Sequence, residues 1–160
     1  MRYTVLCLIT IQQKINGRSN EIFLSSENKY HVDCTKRNFQ DSVDYCQKSG
    51  YAIASFHSDG DINQIKPDFV SSSCDTAYIG AIADGSGGWK WLDNSAWDYV
   101  YKQNLDWINQ KDGETRIAWS KRDDGWQDWG QGDNEMGVIC QKITGTWFLI
   151  SNLINCENFV

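Results

Sequence analysis

The sequence predicts one α+β domain, in which two helices come first and small antiparallel sheets with a long irregular loop region follow. Helical patterns occur only in the first half, and short apolar or alternating segments bounded by Gly, Asp, Asn and Ser fill the second half. Helices followed by a run of strands are typical of the α+β class. The chain has 160 residues, 1 Pro and no repeat or linker, so we expect a single domain.

The first helix is predicted to begin after Asn38, a residue type that caps helix N-termini, with Asp41 three residues on. Gly50 can end this helix because glycine readily adopts the left-handed conformation. Helical spacing then turns three apolar side chains to one face, where we expect the core: Phe39, Val43 and Cys46.

A second, shorter helix is predicted to start at Ser58, with Asp61 near its positive end. Its inward face consists of Ile62, Ile65 and Phe69. Pro67 lacks a backbone N–H, and its ring clashes with the preceding turn, so we expect it to break or kink this helix.

Short extended segments follow the helices. Trp89 and Trp91 are two residues apart, so they share one face of a strand, with Lys90 turned to water. We interpret these rings as core residues rather than as a ligand platform. Gly80 suits a close approach of two backbones. The predicted strands are residues 78–82, 89–92, 116–119 and 138–141, with turns at 121–125 and 130–132.

Residues 92–116 form a long polar segment without convincing periodicity. Irregular segments of this length in a compact domain are usually functional, so we expect a binding loop here.

Charge limits the partners that we expect. The formal net charge is −6, and the 15 Lys and Arg residues form no basic run, so the chain repels phosphate backbones. We therefore expect no nucleic-acid partner. No apolar stretch approaches the roughly 20 residues of a membrane span. The acidic excess leaves carboxylates available for a hard cation such as calcium.

The cysteine content favours an oxidising compartment. The chain has 6 Cys, 2 His and no Cys-x-x-Cys pair, which indicates disulfides rather than zinc.

Residues 1–20 are interpreted as a secretory signal or an N-terminal extension, because Met1 and Arg2 precede a short apolar stretch. Two Thr interrupt this stretch and no small-residue cleavage site follows, so a truncated gene model or a buried strand stays open as the alternative.

Five stretches combine with Cys46 into one pattern: YAIASFHS at 51–58, YIGA at 78–81, WKWLD at 89–93, WQD at 126–128 and VIC at 138–140. Their order and spacing resemble the C-type lectin-like domain family over residues 28–143. The resemblance implies that family's fold and a binding rather than a catalytic role. It also implies a secreted single-domain protein like those of nematodes and other invertebrates, with suspected roles in recognising microbes in innate immunity. Residues 144–160 form a tail without a counterpart in the family.

The resemblance also implies a disulfide between Cys46 and Cys140, which ties the first helix to the last strand. A loop of that length removes on the order of 4 to 5 kcal/mol of unfolded-state entropy. Among the other cysteines we expect Cys34 to pair with Cys74. Cys156 is then free or intermolecular, and Cys7 belongs to the N-terminal segment.

Three departures from the family affect the function. The family's second disulfide falls near Ile117 and Gln131, where this chain has no Cys. Sugar-binding members carry Glu-Pro-Asn or Gln-Pro-Asp in the calcium loop, whereas residues 106–109 here read DWIN. A cis bond without proline costs roughly 3 kcal/mol, so we do not expect the usual loop geometry. Gln127 replaces the Asn of the family's Trp-Asn-Asp.

The ligand site that the resemblance implies lies between the long loop and the strand after Trp126. Trp107 would stack on the apolar face of a sugar, whereas the alternative is that this ring packs beneath the loop. The oxygen donors would also hold calcium, and the alternative is a solvated polar loop in which Asp128 caps a turn. The implied metal and sugar ligands are Asp106, Asn109, Glu114, Gln127 and Asp128, and Asp112 can also supply oxygen.

Catalysis has little support. The adjacent residues His57, Ser58, Asp59 and Asp61 serve well as a helix cap, and the pair 123–124 suits a turn. We therefore expect no catalytic residues.

Two functions stay open. The first is a carbohydrate-binding protein with a glycan or glycoprotein ligand, whose calcium dependence is doubtful without the proline. The second is a protein-binding or structural lectin-like domain that binds neither sugar nor calcium. The missing proline favours the second, and the surviving acidic and amide oxygens favour the first.

Overall fold

The computed structural model describes residues 28–102, 108–130 and 135–143. The predictions for residues 1–20, for Cys7 and for the tail 144–160 with Cys156 concern residues outside this range. The described residues form two α-helices and one mixed sheet, which confirms the α+β class. In chain order the elements are β1 (Tyr30–Arg37), α1 (Phe39–Lys48), β2 (Tyr51–Ile53), α2 (Asp59–Ser71), β3 (Thr76–Ala83), β4 (Trp89–Trp91), a 3-10 turn (Lys111–Gly113), β5 (Glu114–Ser120), β6 (Gly125–Gly130) and β7 (Met136–Lys142).

The described strands join into one sheet instead of the several small antiparallel sheets that the sequence suggests. The strand order is β1-β7-β3-β5-β6, while β2 also pairs with β7 and β4 with β3. The pairing of β3 with β7 is parallel, and the others are antiparallel. The strands unite because the last strand returns to the middle, where it separates β1 from β3.

Both helices begin where the sequence predicts. The backbone N–H of Asp41 donates to Asn38 Oδ1 at 2.8 Å, and that of Asp61 donates to Ser58 Oγ at 3.2 Å. The expected break at Pro67 is wrong, because α2 continues through it to Ser71, and this helix of 13 residues is longer than α1 with 10 instead of shorter. Buried apolar side chains on both sides of the proline, among them Ile65 at 1% and Phe69 at 0% exposure, hold the helix against the sheet.

Apolar side chains cover both faces of the sheet. One core group includes the inward residues of α2 and most of the tryptophans, and we call it the α2-side core. The other includes Cys46 of α1, Tyr78 and Val138, and we call it the α1-side core. Strand alternation explains the division, since Ile79 lies in the first group and its neighbour Tyr78 in the second. Trp89 and Trp91 are buried, as the sequence predicts.

Two disulfides connect distant parts of the chain. Cys46 pairs with Cys140 and joins α1 to β7, with 5.6 Å between the Cα atoms. Cys34 pairs with Cys74 and joins β1 to the residues before β3, with 5.0 Å between the Cα atoms. Both expected pairings are confirmed. Together they fasten the first helix and the first strand to the centre of the sheet.

Candidate functional site at the long loop

The long polar segment has two described arms, which leave β4 and return to β5. The first arm contacts α2, and the second contacts β6 and the turn before β4. Asp106 and Trp107, two of the predicted ligand residues, lie outside the described residues. The arms therefore provide the part of the predicted site whose geometry can be compared with the sequence.

Gln110 fixes the second arm. Its backbone is left-handed, with φ of 57°, and its N–H donates to Asp128 Oδ2 at 2.7 Å. Its side-chain amide donates to the carbonyl oxygen of Gly88 at 2.6 Å. The indole Nε1 of Trp89 donates to the carbonyl oxygen of Ile108 at 3.1 Å. Three hydrogen bonds thus fasten this arm to β6, to the turn before β4 and to β4 itself.

The structure brings two predicted ligand residues to this place. Asp128 is half-buried on β6 and accepts the N–H of Gln110. Asn109 precedes Gln110, and its Oδ1 accepts the backbone N–H of Lys111 at 2.9 Å. Both side chains therefore support the backbone of the arm, and their role as ligands stays a prediction.

Gln127 and Glu114 occupy other positions. The side-chain Nε2 of Gln127 donates to Asp123 Oδ2 at 2.9 Å. Neighbours on a strand face opposite sides, so this amide and the carboxylate of Asp128 point away from each other. Glu114 is half-buried at the start of β5, opposite Gly130. The described part of the predicted set is therefore divided between two faces of the sheet.

These positions do not form a calcium site by themselves. Calcium takes six to eight oxygen ligands, and carboxylates supply most of the charge. The side chain of Asp112, another candidate donor, lies outside the description. Among the side chains that the structure describes in residues 28–102, 108–130 and 135–143, no three of His, Cys, Asp or Glu are grouped so that they can hold a metal ion. The donors described here do not fit calcium without a contribution from elsewhere.

The first arm is attached to α2 and to the turn between β5 and β6. Burial raises the pKa of Asp124, but hydrogen bonds from Lys102 and Lys66 outweigh it and hold the pKa below its usual range. This carboxylate is therefore a charged anchor. The side-chain contacts that fasten the arm are His57 with Asp98, Tyr99 with Asp59, Tyr101 with Asp124, and Lys102 with Asp124.

Gln110 is the residue that the sequence interpretation missed. Left-handed positions usually hold Gly, Asn or Asp, so a Gln in a polar loop carries no local indication of this conformation. Its partner Asp128 is 18 residues away, and a single contact over that distance has no periodic pattern.

The residues that a catalytic interpretation would use have structural partners. The Ser58 side chain caps α2 and donates to Asp61 Oδ2 at 3.2 Å. Asp123 accepts from Ser120 Oγ at 2.7 Å within the β5–β6 turn. These are the cap and turn roles that the sequence predicts.

No described helix is long and apolar enough to cross a membrane.

No family model matches the chain, and no curated protein matches its sequence.

Solved structures are similar to this chain in fold. The C-type carbohydrate-recognition domain of cow CD23, with an oligosaccharide present, is similar with TM-score 0.62 and 19% identity. The match covers 72% of this chain and 88% of the cow chain. The human scavenger receptor C-type lectin carbohydrate-recognition domain has TM-score 0.61 and 21% identity, covering 72% and 90%. A calcium-independent type II antifreeze protein has TM-score 0.56 and 21% identity, covering 71% and 84%. The order of elements, the sheet and these likenesses together show that the chain has a C-type lectin-like fold.

Proposed function

We propose that this chain is a carbohydrate-binding protein that uses the surface formed by the second arm at 108–110 and Asp128, which we call the long-loop face. Hydrogen bonds within the chain hold this face in place of a calcium ion. The observation that carries the proposal is the 2.7 Å hydrogen bond from the Gln110 N–H to Asp128. A loop that is ordered before binding loses less conformational entropy when a ligand arrives. The described second arm is therefore ordered before a ligand arrives, and its amide oxygens together with the Asp128 carboxylate suit a ligand rich in hydroxyl groups.

Two of the similar structures support a sugar as the ligand. The cow and human domains are carbohydrate-recognition domains. Trp107 adds an aromatic ring to the loop in sequence, and aromatic rings stack on the apolar faces of sugars. An extracellular site of action follows from the same proposal, because the two disulfides persist in an oxidising compartment.

Weak calcium binding, or none, is part of this proposal. Asp128 and Asn109 already accept backbone N–H groups, so an ion would have to compete with the hydrogen bonds that order the arm. The similar antifreeze protein is calcium-independent, so this fold exists without a calcium requirement.

A glycan array measured with calcium and again with a chelator tests the proposal. We expect the wild-type chain to bind a defined set of glycans equally in both conditions. Asp128→Ala removes the acceptor for Gln110 and should abolish this binding, whereas Asp128→Asn keeps an acceptor and should retain part of it. Asp68→Ala removes an exposed carboxylate of α2 and is the matched control.

A second candidate is a protein-binding lectin-like domain without a sugar or calcium site. The observation that favours it is the Gln127 amide, which donates to Asp123 and faces away from Asp128. If the folded wild-type chain binds no glycan on the array in either condition, the carbohydrate proposal is wrong and this candidate replaces it.

A further inference from the structure

A second concave surface lies around Trp129, on the face of the sheet that carries the α1-side core. A groove of about 580 Å³ runs beside this ring, past Asp75 and the turn residues Lys121 and Arg122. A smaller groove of about 250 Å³ adjoins it and contains Lys36 at its edge. Trp129, Asp75 and Thr76 line both, so we treat them as one surface and call it the Trp129 groove.

Strand geometry separates this groove from the long-loop face. Trp129 and Gln127 are two residues apart on β6 and share one side, whereas Asp128 between them points to the other. The Trp129 ring is half-buried and packs against the α1-side core. The packing holds one part of the ring in the protein and leaves another part to line the groove.

The edge of the groove carries polar groups of both charge signs. Asp75 and Lys36 are exposed, and the Arg122 side chain is 87% exposed. The Nζ of Lys121 donates to the carbonyl oxygen of Ser72 at 2.7 Å, which fixes its position. Acceptors and donors therefore surround an aromatic surface within one concavity.

We propose that the Trp129 groove is a second binding site for a pyranose sugar, independent of calcium and of the long loop. A pyranose has a face of C–H bonds, which stacks on an indole ring, and an edge of hydroxyl groups, which both donate and accept hydrogen bonds. The groove has the complementary arrangement, with one aromatic surface and a polar edge. Its volume lies within the range of roughly 300 to 1,000 Å³ that small-ligand sites occupy.

The composition of the groove distinguishes a sugar from an apolar peptide segment. Grooves that bind amphipathic peptides are lined by successive apolar side chains. Here the larger part contains one apolar side chain, Trp129, and polar residues otherwise. The smaller part adds Met136 and the Cys34–Cys74 disulfide beside polar residues, so no row of apolar side chains lines the groove. A ligand that stacks once and hydrogen-bonds around its edge fits better than a ligand with several apolar anchors.

Fluorine NMR of the full chain with 5-fluorotryptophan tests this inference. The chain has 8 Trp, and comparison with Trp129→Phe assigns the Trp129 resonance. Methyl α-mannopyranoside, methyl β-galactopyranoside and N-acetylglucosamine are titrated separately to millimolar concentrations, with and without chelator. We expect at least one of them to shift the Trp129 resonance saturably, with the same result in the presence of chelator.

Variants at the exposed edge keep the test independent of folding. Asp75→Ala should lower the affinity for the sugar roughly threefold to tenfold, which corresponds to the loss of one hydrogen bond. Asp68→Ala should leave this affinity unchanged. Asp128→Ala should leave the Trp129 shift intact, even if it abolishes binding at the long-loop face. The inference is overturned if no sugar of the panel shifts this resonance, if Asp75→Ala has no effect, or if Asp128→Ala removes the shift.

Discussion

Trp126 shows how one side chain serves the core beside a binding surface. It is 1% exposed and lies 5.6 Å from Trp91 and 6.0 Å from Phe56, measured between ring centroids. Among the described residues, its Nε1 has no hydrogen-bond partner. Its contribution to stability therefore comes from ring packing and not from the N–H group.

We expect Trp126→Ala to lower the free energy of unfolding by roughly 3 to 5 kcal/mol, because it leaves a cavity in the α2-side core. Trp126→Phe keeps an aromatic ring and removes the unpaired N–H, so it should cost clearly less. Urea unfolding of both variants measures the difference. Equal losses for Phe and Ala would show that the N–H group matters after all.

Asp61 is a buried carboxylate with three partners besides the Ser58 hydroxyl at the start of α2. It accepts from Lys29 Nζ at 2.6 Å, Tyr30 Oη at 2.9 Å and the backbone N–H of His57 at 3.0 Å. Burial raises the pKa of Asp61, but these hydrogen bonds outweigh burial and lower the pKa from 3.8 to about 2. The folded state therefore binds the proton less readily than the unfolded state does.

A lowered folded-state pKa stabilises the fold above the unfolded value, and this stabilisation is lost as the pH falls from about 4 to about 2. We expect the loss to reach about 2 kcal/mol for Asp61. Urea unfolding at pH 5 and at pH 2 gives the free energy of unfolding at each pH. Its decrease between the two should be smaller for Asp61→Asn than for the wild type. For Asp68→Asn, an exposed substitution on the same helix, the decrease should equal that of the wild type. Identical decreases in all three proteins would contradict this role.

The hydrogen bond between Gln110 and Asp128 leads to a prediction about calcium. Any ion that this chain binds should be held more weakly than in the sugar-binding C-type lectins, because it must compete with the hydrogen bonds that already order the second arm. Isothermal titration with calcium measures the affinity, and Asp128→Ala should abolish whatever binding occurs. A tight site, or one that survives this substitution, would show that the ligands lie elsewhere.

At the scale of elements, Gly137 lets β7 pass beneath the Cys34–Cys74 disulfide. A Cβ atom at this position would lie 2.8 Å from Cys74 Sγ and 2.9 Å from the carbonyl oxygen of Asp33. Both contacts are closer than real Cβ atoms show, and one of them is to the backbone of β1. The close pairing of β1 with β7 therefore depends on a residue without a side chain.

We expect Gly137→Ala to destabilise the domain by roughly 1 to 3 kcal/mol, as overpacking in a core does. Gly130→Ala, in β6, is the matched control, because no described atom lies within 4 Å of the Cβ position there. Thermal unfolding compares the two variants. If both shift the transition equally, strand propensity rather than the contact with β1 explains the effect.

The elements also show which features the sequence can predict. Both helices have a capping residue and apolar side chains at helical spacing, and the apolar strands β3, β5 and β7 have high β propensity. β1 was missed because its sequence YHVDCTKR is mostly polar and only Tyr30 is fully buried. β2 has three residues, too few for a pattern. Such strands form because a neighbour supplies hydrogen bonds, which local propensity does not record.

In the candidate site, too, the sequence indicates residue types but not the contacts that depend on distant parts of the chain. Asp128 and Asn109 could be chosen from their residue types and from the family pattern. Gln110 could not, because its role depends on a left-handed backbone and on two distant partners, Asp128 and Gly88. The direction of the Gln127 side chain depends on the pleat of β6, which is known only when its register with β5 is known.

At the scale of the whole molecule, the described elements from β1 to β7 are joined into one unit. The two disulfides and the pairings of β7 that the structure describes lie within it. We expect a chain that stops after Ile143 to fold, with a melting temperature close to that of the full chain. Circular dichroism during heating measures this. A truncated chain without a cooperative transition would show that the tail is part of the domain.

The central position of β7 has a consequence for how the protein is made. This strand lies between β1 and β3 and carries Cys140, so the sheet has a gap in its middle until residue 142 is available. During synthesis, most of the domain therefore leaves the ribosome before the sheet can close. Because such long-range pairing folds slowly, the unfinished sheet edges are exposed to aggregation in the meantime. We expect this protein to depend on chaperones until β7 and Cys140 have emerged.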